Sequence, residues 1–126
     1  MIIAGVEEGG DPPDGLDQIR ELCSGEVNFK TEGWRNLIFM EQLRLWVGNQ
    51  VRVTDAVLCL NHNNPTYPTK LYMAENVGGP VNWNEANVPL LGRYWHSFSW
   101  RDVSPALPYH EILAAHLAPL ASDKAA

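Results

Sequence analysis

The sequence predicts a single α+β domain in which a four-stranded antiparallel meander is flanked by an N-terminal and a C-terminal helix. Apolar and polar residues alternate over several segments between Val27 and Met73, which is the two-residue period of β-strands. Apolar residues at helical spacing precede and follow these segments. A length of 126 residues corresponds to about one domain. We therefore expect one hydrophobic core, formed by residues 16–120.

The chain starts with a polar leader and a short helix. Residues 1–15 are acidic and rich in glycine and proline, which predicts a flexible segment. The first six residues are apolar but lack a basic flank and are followed by Glu7 and Glu8, so they do not resemble a signal peptide. Cytoplasmic location is therefore expected. A helix is predicted from Leu16 to Ser24, because Leu16, Ile19 and Cys23 share one helical face.

The central part of the chain has the pattern of a β-meander. A first strand is predicted from Val27 to Thr31 and a second within the run from Trp34 to Val47. Gly48-Asn49 is a two-residue hairpin signal, because glycine at the first central position permits the positive φ of a type II′ turn. The returning strand begins at Val51, and a short fourth strand is predicted from Lys70 to Met73.

The segment after the predicted meander lacks periodicity. Residues 74–92 are rich in asparagine, glycine and proline, and they predict a long irregular loop. Loops of this length in compact domains are often functional. A helix is predicted from Pro108 to Ala118, because proline suits the first helical position. Residues 121–126 are predicted to form a disordered tail.

Composition and charge exclude several classes of function. The net charge is -6 and the nine basic residues are scattered, which argues against a nucleic-acid ligand. No apolar run has the length of a membrane span. The two cysteines lack the spacing of a zinc or redox motif, and His110 and His116 lie six residues apart, at different positions around a helix. We predict no metal site and no cofactor, and we interpret His116 as a hydrogen-bonded core residue.

Several short motifs occur in an order that is typical of one family. Tyr67-Pro68 follows the strands, and Ser104-Pro105-Ala106-Leu107 precedes the C-terminal helix. Between them lies a run from Leu91 to Ser99 that reads Leu-Gly-Arg-Tyr-Trp-His-Ser-Phe-Ser. This order resembles the ubiquitin-conjugating enzyme (UBC) superfamily, and the run is similar to a Leu-Gly-Arg-x-Trp-x-x-Phe-Ser stretch of its bacterial branch. The resemblance covers residues 16–120 and implies the UBC fold.

The resemblance also implies a catalytic cysteine, which this chain lacks. Members of the family carry a ubiquitin-like C-terminus as a thioester, and the position of that cysteine falls near Gly92 to His96, where no cysteine occurs. The family's His-Pro-Asn triplet is also absent. The resemblance therefore implies a non-catalytic relative that binds or positions a ubiquitin-like protein or its activating enzyme. An active conjugating enzyme whose nucleophile is mutated or displaced is the alternative.

Cys59 is the candidate for a displaced nucleophile, with His62 as a possible base. Their positions differ by three, so on a continuous strand they would face opposite sides of the sheet. We interpret Cys59 as a buried structural residue, since free cysteine is among the most buried residue types.

An aromatic group around the irregular segment supplies the candidate partner-binding residues. Exposed indoles are typical anchors of protein interfaces, and they also stack on sugar rings. The alternative is a second small core under the loop. A third interpretation of the chain follows, namely an unrelated α+β module that binds a small ligand through this aromatic loop. The candidate residues are Trp83, Tyr94, Trp95, His96 and Trp100.

Overall fold

The computed structural model describes residues 15–121, and the sequence-based predictions for residues 1–14 and 122–126 lie outside this part of the chain. Eight elements follow one another along it. They are α1 (Leu16–Arg20), β1 (Val27–Glu32), β2 (Arg35–Val47), β3 (Gln50–Cys59), β4 (Lys70–Met73), β5 (Asn82–Leu90), β6 (Arg93–Ser99) and α2 (Tyr109–Ala121).

The strands form one six-stranded sheet in the order β1-β2-β3-β4-β6-β5, with every neighbouring pair antiparallel. The predicted α+β class is confirmed. The prediction of four strands is wrong, because residues 82–90 of the predicted irregular loop form β5 and the segment Arg93–Ser99 forms β6. This strand lies at the sheet edge and its pairing with β6 shifts register twice, so its sequence lacks clean alternation.

Helix α1 is shorter than predicted and ends at Arg20 instead of Ser24. After Arg20 the chain leaves the helix and pairs with β2 instead of completing another helical turn. Cys23 forms an isolated antiparallel bridge with Leu43, and the N–H of Ser24 donates to the carbonyl of Gln42 at 3.1 Å. Pairing with the edge of β2 thus replaces the last helical turn that the apolar spacing predicted.

The long hairpin of β2 and β3 confirms the turn at Gly48-Asn49. Val47 pairs with Gln50 and Gly48 has a φ of 59°, so glycine supplies the positive φ at the first turn position. Further along, a β-bulge interrupts the register between Met40 and Leu43. Gln42 has a φ of 56° in this bulge, and its N–H donates to Oδ1 of Asp55 at 2.8 Å.

The main core lies between the helices and one face of the sheet. Helix α2 extends to Ala121, three residues beyond the predicted end, and Ala121 therefore belongs to the helix and not to the predicted tail. Its buried residues pack against side chains from β2, β3, β4 and β6, including Met40, Leu58, Met73 and Phe98. Full burial of such side chains contributes about 1.5–3 kcal/mol each.

The opposite face of the sheet carries a smaller second core. This second core consists of Leu37, Val57, Cys59, Tyr72, Leu90 and Trp95. The sheet curls over it, since the N–H of Leu91 in the β5–β6 turn donates to Oε1 of Glu32 at the end of β1 at 2.6 Å. The β5–β6 hairpin joins the meander through two paired positions on β4, Tyr72 with Ser97 and Met73 with His96.

No helix among residues 15–121 is long and apolar enough to cross a membrane.

Candidate functional site

The β5–β6 hairpin carries most of the predicted partner-binding residues. Its turn is Leu91-Gly92, where φ is 52° and 76°, and Leu90 pairs with Arg93 across it. Two positive φ values in succession are the conformation of a type I′ turn. A leucine at positive φ is uncommon, and the hydrogen bond from its N–H to Glu32 helps to hold it there.

Trp95 belongs to the second core and has no exposed surface. Its Nε1 donates to the carbonyl of Leu90 at 2.8 Å, and its ring packs edge-on against Phe39 with 6.4 Å between centroids. The guanidinium of Arg93 covers the indole at 4.6 Å from its centroid. Of the two roles that the sequence left open for Trp95, the structure places it in the core. The expectation that Trp95 is an interface anchor is therefore wrong, because an indole without exposed surface contacts no partner.

Trp83 is partly buried and packs on the main core. Its ring lies edge-on to Phe98 with 5.1 Å between centroids, and its Nε1 donates to the carbonyl of Gly78 at 2.9 Å. The side chain is half-buried and keeps part of its surface accessible to solvent.

Tyr94 and His96 share a face of β6 with Phe98, because alternate residues of a strand point to the same side. Tyr94 is 68% exposed and His96 is half-buried. Together with the exposed Pro89, which pairs with Tyr94, and with Trp83, they form a surface that we call the hairpin face. Trp100 follows β6 and is 41% exposed. The structure thus places Trp83, Tyr94 and His96 on one face of the hairpin, with Trp83 beside Phe98, and separates Trp95 from them.

Cys59 lies at the end of β3 in the second core and has no exposed surface. Burial raises the pKa of its thiol, and the nearby Asn61 and Arg35 oppose this shift. The Sγ–H donates to Oδ1 of Asn61 at 3.8 Å. A thiol with a raised pKa stays protonated at neutral pH, whereas a nucleophilic cysteine needs the thiolate.

His62 follows β3 and shares no hydrogen bond with Cys59, whose Sγ–H donates to Asn61 instead. Burial lowers the pKa of its imidazole, and the charge of Lys70 lowers it further. Its Nδ1 is buried without a hydrogen-bond partner, and its backbone N–H donates to the carbonyl of Pro68 at 3.0 Å. Cys59 and His62 therefore lie close in sequence without forming a catalytic pair.

Lys70 is a buried cation that the sequence analysis did not single out. It is 5% exposed, its Nζ lies 4.0 Å from Oε1 of Glu85, and Nζ donates to the carbonyl of Phe98 at 3.5 Å. The ring of Tyr67 lies 5.3 Å from Nζ. Burial lowers the pKa of Lys70, and Glu85 opposes this shift. Alternation in β4 places Lys70 on the same face of the sheet as Tyr72. This alternation is the feature of the sequence from which the position of Lys70 could have been predicted.

His116 is a hydrogen-bonded core residue, as the sequence predicted. Its Nε2 lies 2.9 Å from Oγ1 of Thr69, and that hydroxyl donates its only hydrogen to the carbonyl of Val103 at 2.9 Å. The hydroxyl therefore accepts a hydrogen bond from Nε2–H, which fixes the neutral tautomer. Within residues 15–121 no three His, Cys, Asp or Glu side chains are grouped so that they could hold a metal ion.

No protein-family model, no curated protein and no solved structure matches this chain.

Proposed function

We propose that the chain is a non-catalytic, UBC-like subunit of a bacterial ubiquitin-like modification system that binds or positions a ubiquitin-like protein or its conjugation machinery. The order of elements supports this proposal. An N-terminal helix precedes four strands that pair in sequence order, and Tyr67-Pro68 lies between β3 and β4. Ser104-Pro105 then precedes the C-terminal helix. The proposal keeps the family resemblance that the sequence motifs suggest.

The exposure of Tyr94 is the observation that favours a binding role. The position where the family resemblance expects the cysteine, Gly92 to His96, is the start of β6, and its most exposed large side chain is the phenol of Tyr94. Aromatic side chains that keep a polar tip in water are common anchors of protein interfaces. Trp83 and His96 lie on the same face of the hairpin and are further candidate contacts. Trp100 is a further candidate contact just beyond it.

The alternative of an active conjugating enzyme depends on Cys59. Its burial and raised pKa argue against thioester formation there. The test is incubation of the protein with the cognate activating enzyme, ATP and the ubiquitin-like protein, followed by a non-reducing gel. We expect no reducible adduct. An adduct that disappears in Cys59→Ala would replace the binding proposal with the enzymatic one.

Binding itself is tested by titration of the ubiquitin-like protein and, separately, of its activating enzyme. Tyr94→Ala should weaken binding of the cognate partner by about 2 kcal/mol, or roughly thirtyfold. Trp46→Ala is the matched control, because Trp46 is 56% exposed and lies on β2, outside the residues that form the hairpin face. Equal affinity of the Tyr94→Ala and unaltered proteins would remove the hairpin face from the interface.

A further inference from the structure

A cleft of about 670 Å³ opens between the turn that joins β1 to β2 and the connection from β3 to β4. Pro105, from the segment before α2, completes its lining. The volume lies in the range of about 300–1,000 Å³ that is typical of small-molecule sites. None of the lining residues belongs to the hairpin face, and the site does not depend on the function proposed above.

The cleft combines an aromatic surface with side-chain amides and has no charged wall. Its lining consists of one tryptophan, one leucine, three asparagines and three prolines, so none of the described residues that line it is ionisable. A charged ligand would lose hydration on entry without meeting an opposite charge. Each amide offers both N–H donors and a carbonyl acceptor. The cleft therefore suits an uncharged ligand whose polar groups both donate and accept, as hydroxyl groups do.

Trp34 supplies the aromatic surface and is 54% exposed. The Cζ of Arg35 lies 5.0 Å from the centroid of its ring, but Arg35 is not a lining residue, so the indole surface within the cleft stays open to a ligand. The face of an indole carries partial negative charge, which attracts the partially positive C–H groups of a ring stacked on it. A pyranose ring with equatorial hydroxyls presents such a C–H surface.

Asn61 joins the two walls of the cleft. Its Nδ2 donates to the carbonyl of Trp34 at 2.8 Å, and its Oδ1 accepts the N–H of Asn36 at 2.8 Å. The turn that carries the indole is therefore fixed to the β3–β4 connection. A cleft that keeps its shape before the ligand arrives loses less conformational entropy on binding.

Asn63 and Asn64 supply amide groups that the protein itself leaves unpaired. The side chain of Asn63 is exposed and forms no hydrogen bond with any group in residues 15–121. Oδ1 of Asn64 accepts the N–H groups of Thr66 and Tyr67 at 2.8 and 3.1 Å, while its Nδ2 donates to no group in the same range. A free amide can donate to one hydroxyl and accept from its neighbour, which matches the vicinal hydroxyls of a sugar.

We propose that this cleft binds an uncharged mono- or disaccharide, with one pyranose ring stacked on Trp34 and its vicinal hydroxyls hydrogen-bonded to the amide of Asn63. Nucleosides and proline-rich peptides also stack on indoles without bringing a charge. The amides favour a saccharide over both. A pyranose carries hydroxyls around its whole rim, whereas a base presents its polar groups along one edge and a proline has no N–H to donate.

The test is an NMR titration of the whole, ¹⁵N-labelled chain with cellobiose, maltose, glucose, glucuronate, adenosine and tetraproline. The chain has five tryptophans, and the indole N–H signal of Trp34 is the one missing from the spectrum of Trp34→Ala. We expect cellobiose or maltose to shift this signal in a saturable way and to leave the signal of Trp46 unchanged. Glucuronate should bind no more tightly than glucose, because no lining residue among those described carries a positive charge.

Two variants test the stacking and the amide separately. Trp34→Ala should weaken binding of the disaccharide about tenfold. Asn63→Gly should weaken it about fivefold, since it removes the amide while glycine accepts the φ of 64° at this position. Asn87→Gly is the matched control, because Asn87 is also exposed, has a φ of 58° and does not line the cleft. It should bind the disaccharide as the unaltered protein does.

The proposal is overturned if none of cellobiose, maltose and glucose shifts the Trp34 signal. It is also overturned if disaccharide affinity survives Trp34→Ala, or if adenosine or tetraproline binds more tightly than both disaccharides. A thermal melt of each variant accompanies the titrations. If Trp34→Ala unfolds, Trp34→Leu, which keeps apolar bulk and lacks the aromatic face, should show the same loss of affinity.

Discussion

Asp55 accepts a hydrogen bond through its Oδ2 from Nη1 of Arg93 at 2.9 Å, and this ion pair ties β3 to the hairpin that is formed by β5 and β6. Its other oxygen accepts the N–H of Gln42 in the β-bulge. One half-buried carboxylate therefore fixes both the bulge of β2 and the position of Arg93 above Trp95.

The first prediction concerns this carboxylate. Asp55→Ala should lower the free energy of unfolding by about 1–3 kcal/mol, because it leaves the Gln42 N–H without its acceptor and releases Arg93. Urea unfolding measures the change. Asp17→Ala is the control, since Asp17 forms an exposed ion pair with Arg20 whose loss should cost less than about 1 kcal/mol. Equal stability of the two variants would contradict the role assigned to Asp55.

The second prediction separates two neighbouring residues of β6. Trp95→Ala should cost about 3–5 kcal/mol of stability, because it leaves a cavity in the second core. Tyr94→Ala should change stability by less than about 0.5 kcal/mol, since the phenol is 68% exposed. Thermal or urea unfolding of both variants distinguishes them, and a stable Trp95→Ala protein would show that the indole is not part of the core.

The third prediction concerns acid sensitivity. Burial and the charge of Lys70 lower the pKa of His116 to about 4, from an ordinary value of 6.5. The folded state therefore favours the neutral imidazole, and its contribution to stability is full above pH 6.5 and is lost as the pH falls from 6.5 towards 4. The associated loss in the free energy of unfolding is about 3 kcal/mol by pH 4.

Urea unfolding at pH 7 and pH 4.5 measures this loss. His116→Gln should remove most of the difference in the free energy of unfolding between the two pH values. Part of the remaining difference comes from His62, whose pKa is also lowered. An undiminished pH dependence in His116→Gln would rule out His116 as its source.

The fourth prediction concerns the two thiols. Cys59 should not react with a thiol reagent such as DTNB in the folded protein, because it has no exposed surface and its pKa is raised by burial. Cys23, which is half-buried, has a pKa raised to about 11 and should react slowly. Both should react at once in denaturant. Reaction of Cys59 in the folded state as fast as that of Cys23 would reopen the displaced-nucleophile alternative.

The fold could be predicted from the sequence where local signals were strong. Gly48 at a hairpin turn and the short strand from Lys70 to Met73 both followed from residue chemistry and alternation. Strand β5 could not be recognised, because its apolar residues do not alternate regularly and its asparagines are typical of turns. Its structure depends on pairing with β6, which is a tertiary interaction.

The candidate site could be predicted in part. The sequence indicated an aromatic surface near β6, but it did not distinguish the exposed Tyr94 from the buried Trp95 without the strand direction. A cleft of about 670 Å³ that is lined by Trp34, Asn61 and Asn64 was not predicted, because its walls come from the β1–β2 turn and the β3–β4 connection, which are far apart in sequence. The pairing of Leu37 with Cys59 and the hydrogen bonds of Asn61 to Trp34 and Asn36 bring these two segments together.

The hydrogen bond between Leu91 and Glu32 joins the two ends of the curled sheet, and these two residues are 59 positions apart in the sequence. On its other side the hairpin is held to β4 by two residue pairs, far fewer than join β2 to β3. This junction has the fewest backbone pairs in the sheet, and segments with few backbone pairings open before the rest of a domain. Hydrogen-exchange measurements should therefore show that the backbone amides of β5 and β6 exchange together, because the hairpin opens as one unit. Each such opening would expose Trp95 and Cys59 to water. The lifetime of the closed hairpin therefore determines how long the Cys59 thiol stays inaccessible to solvent.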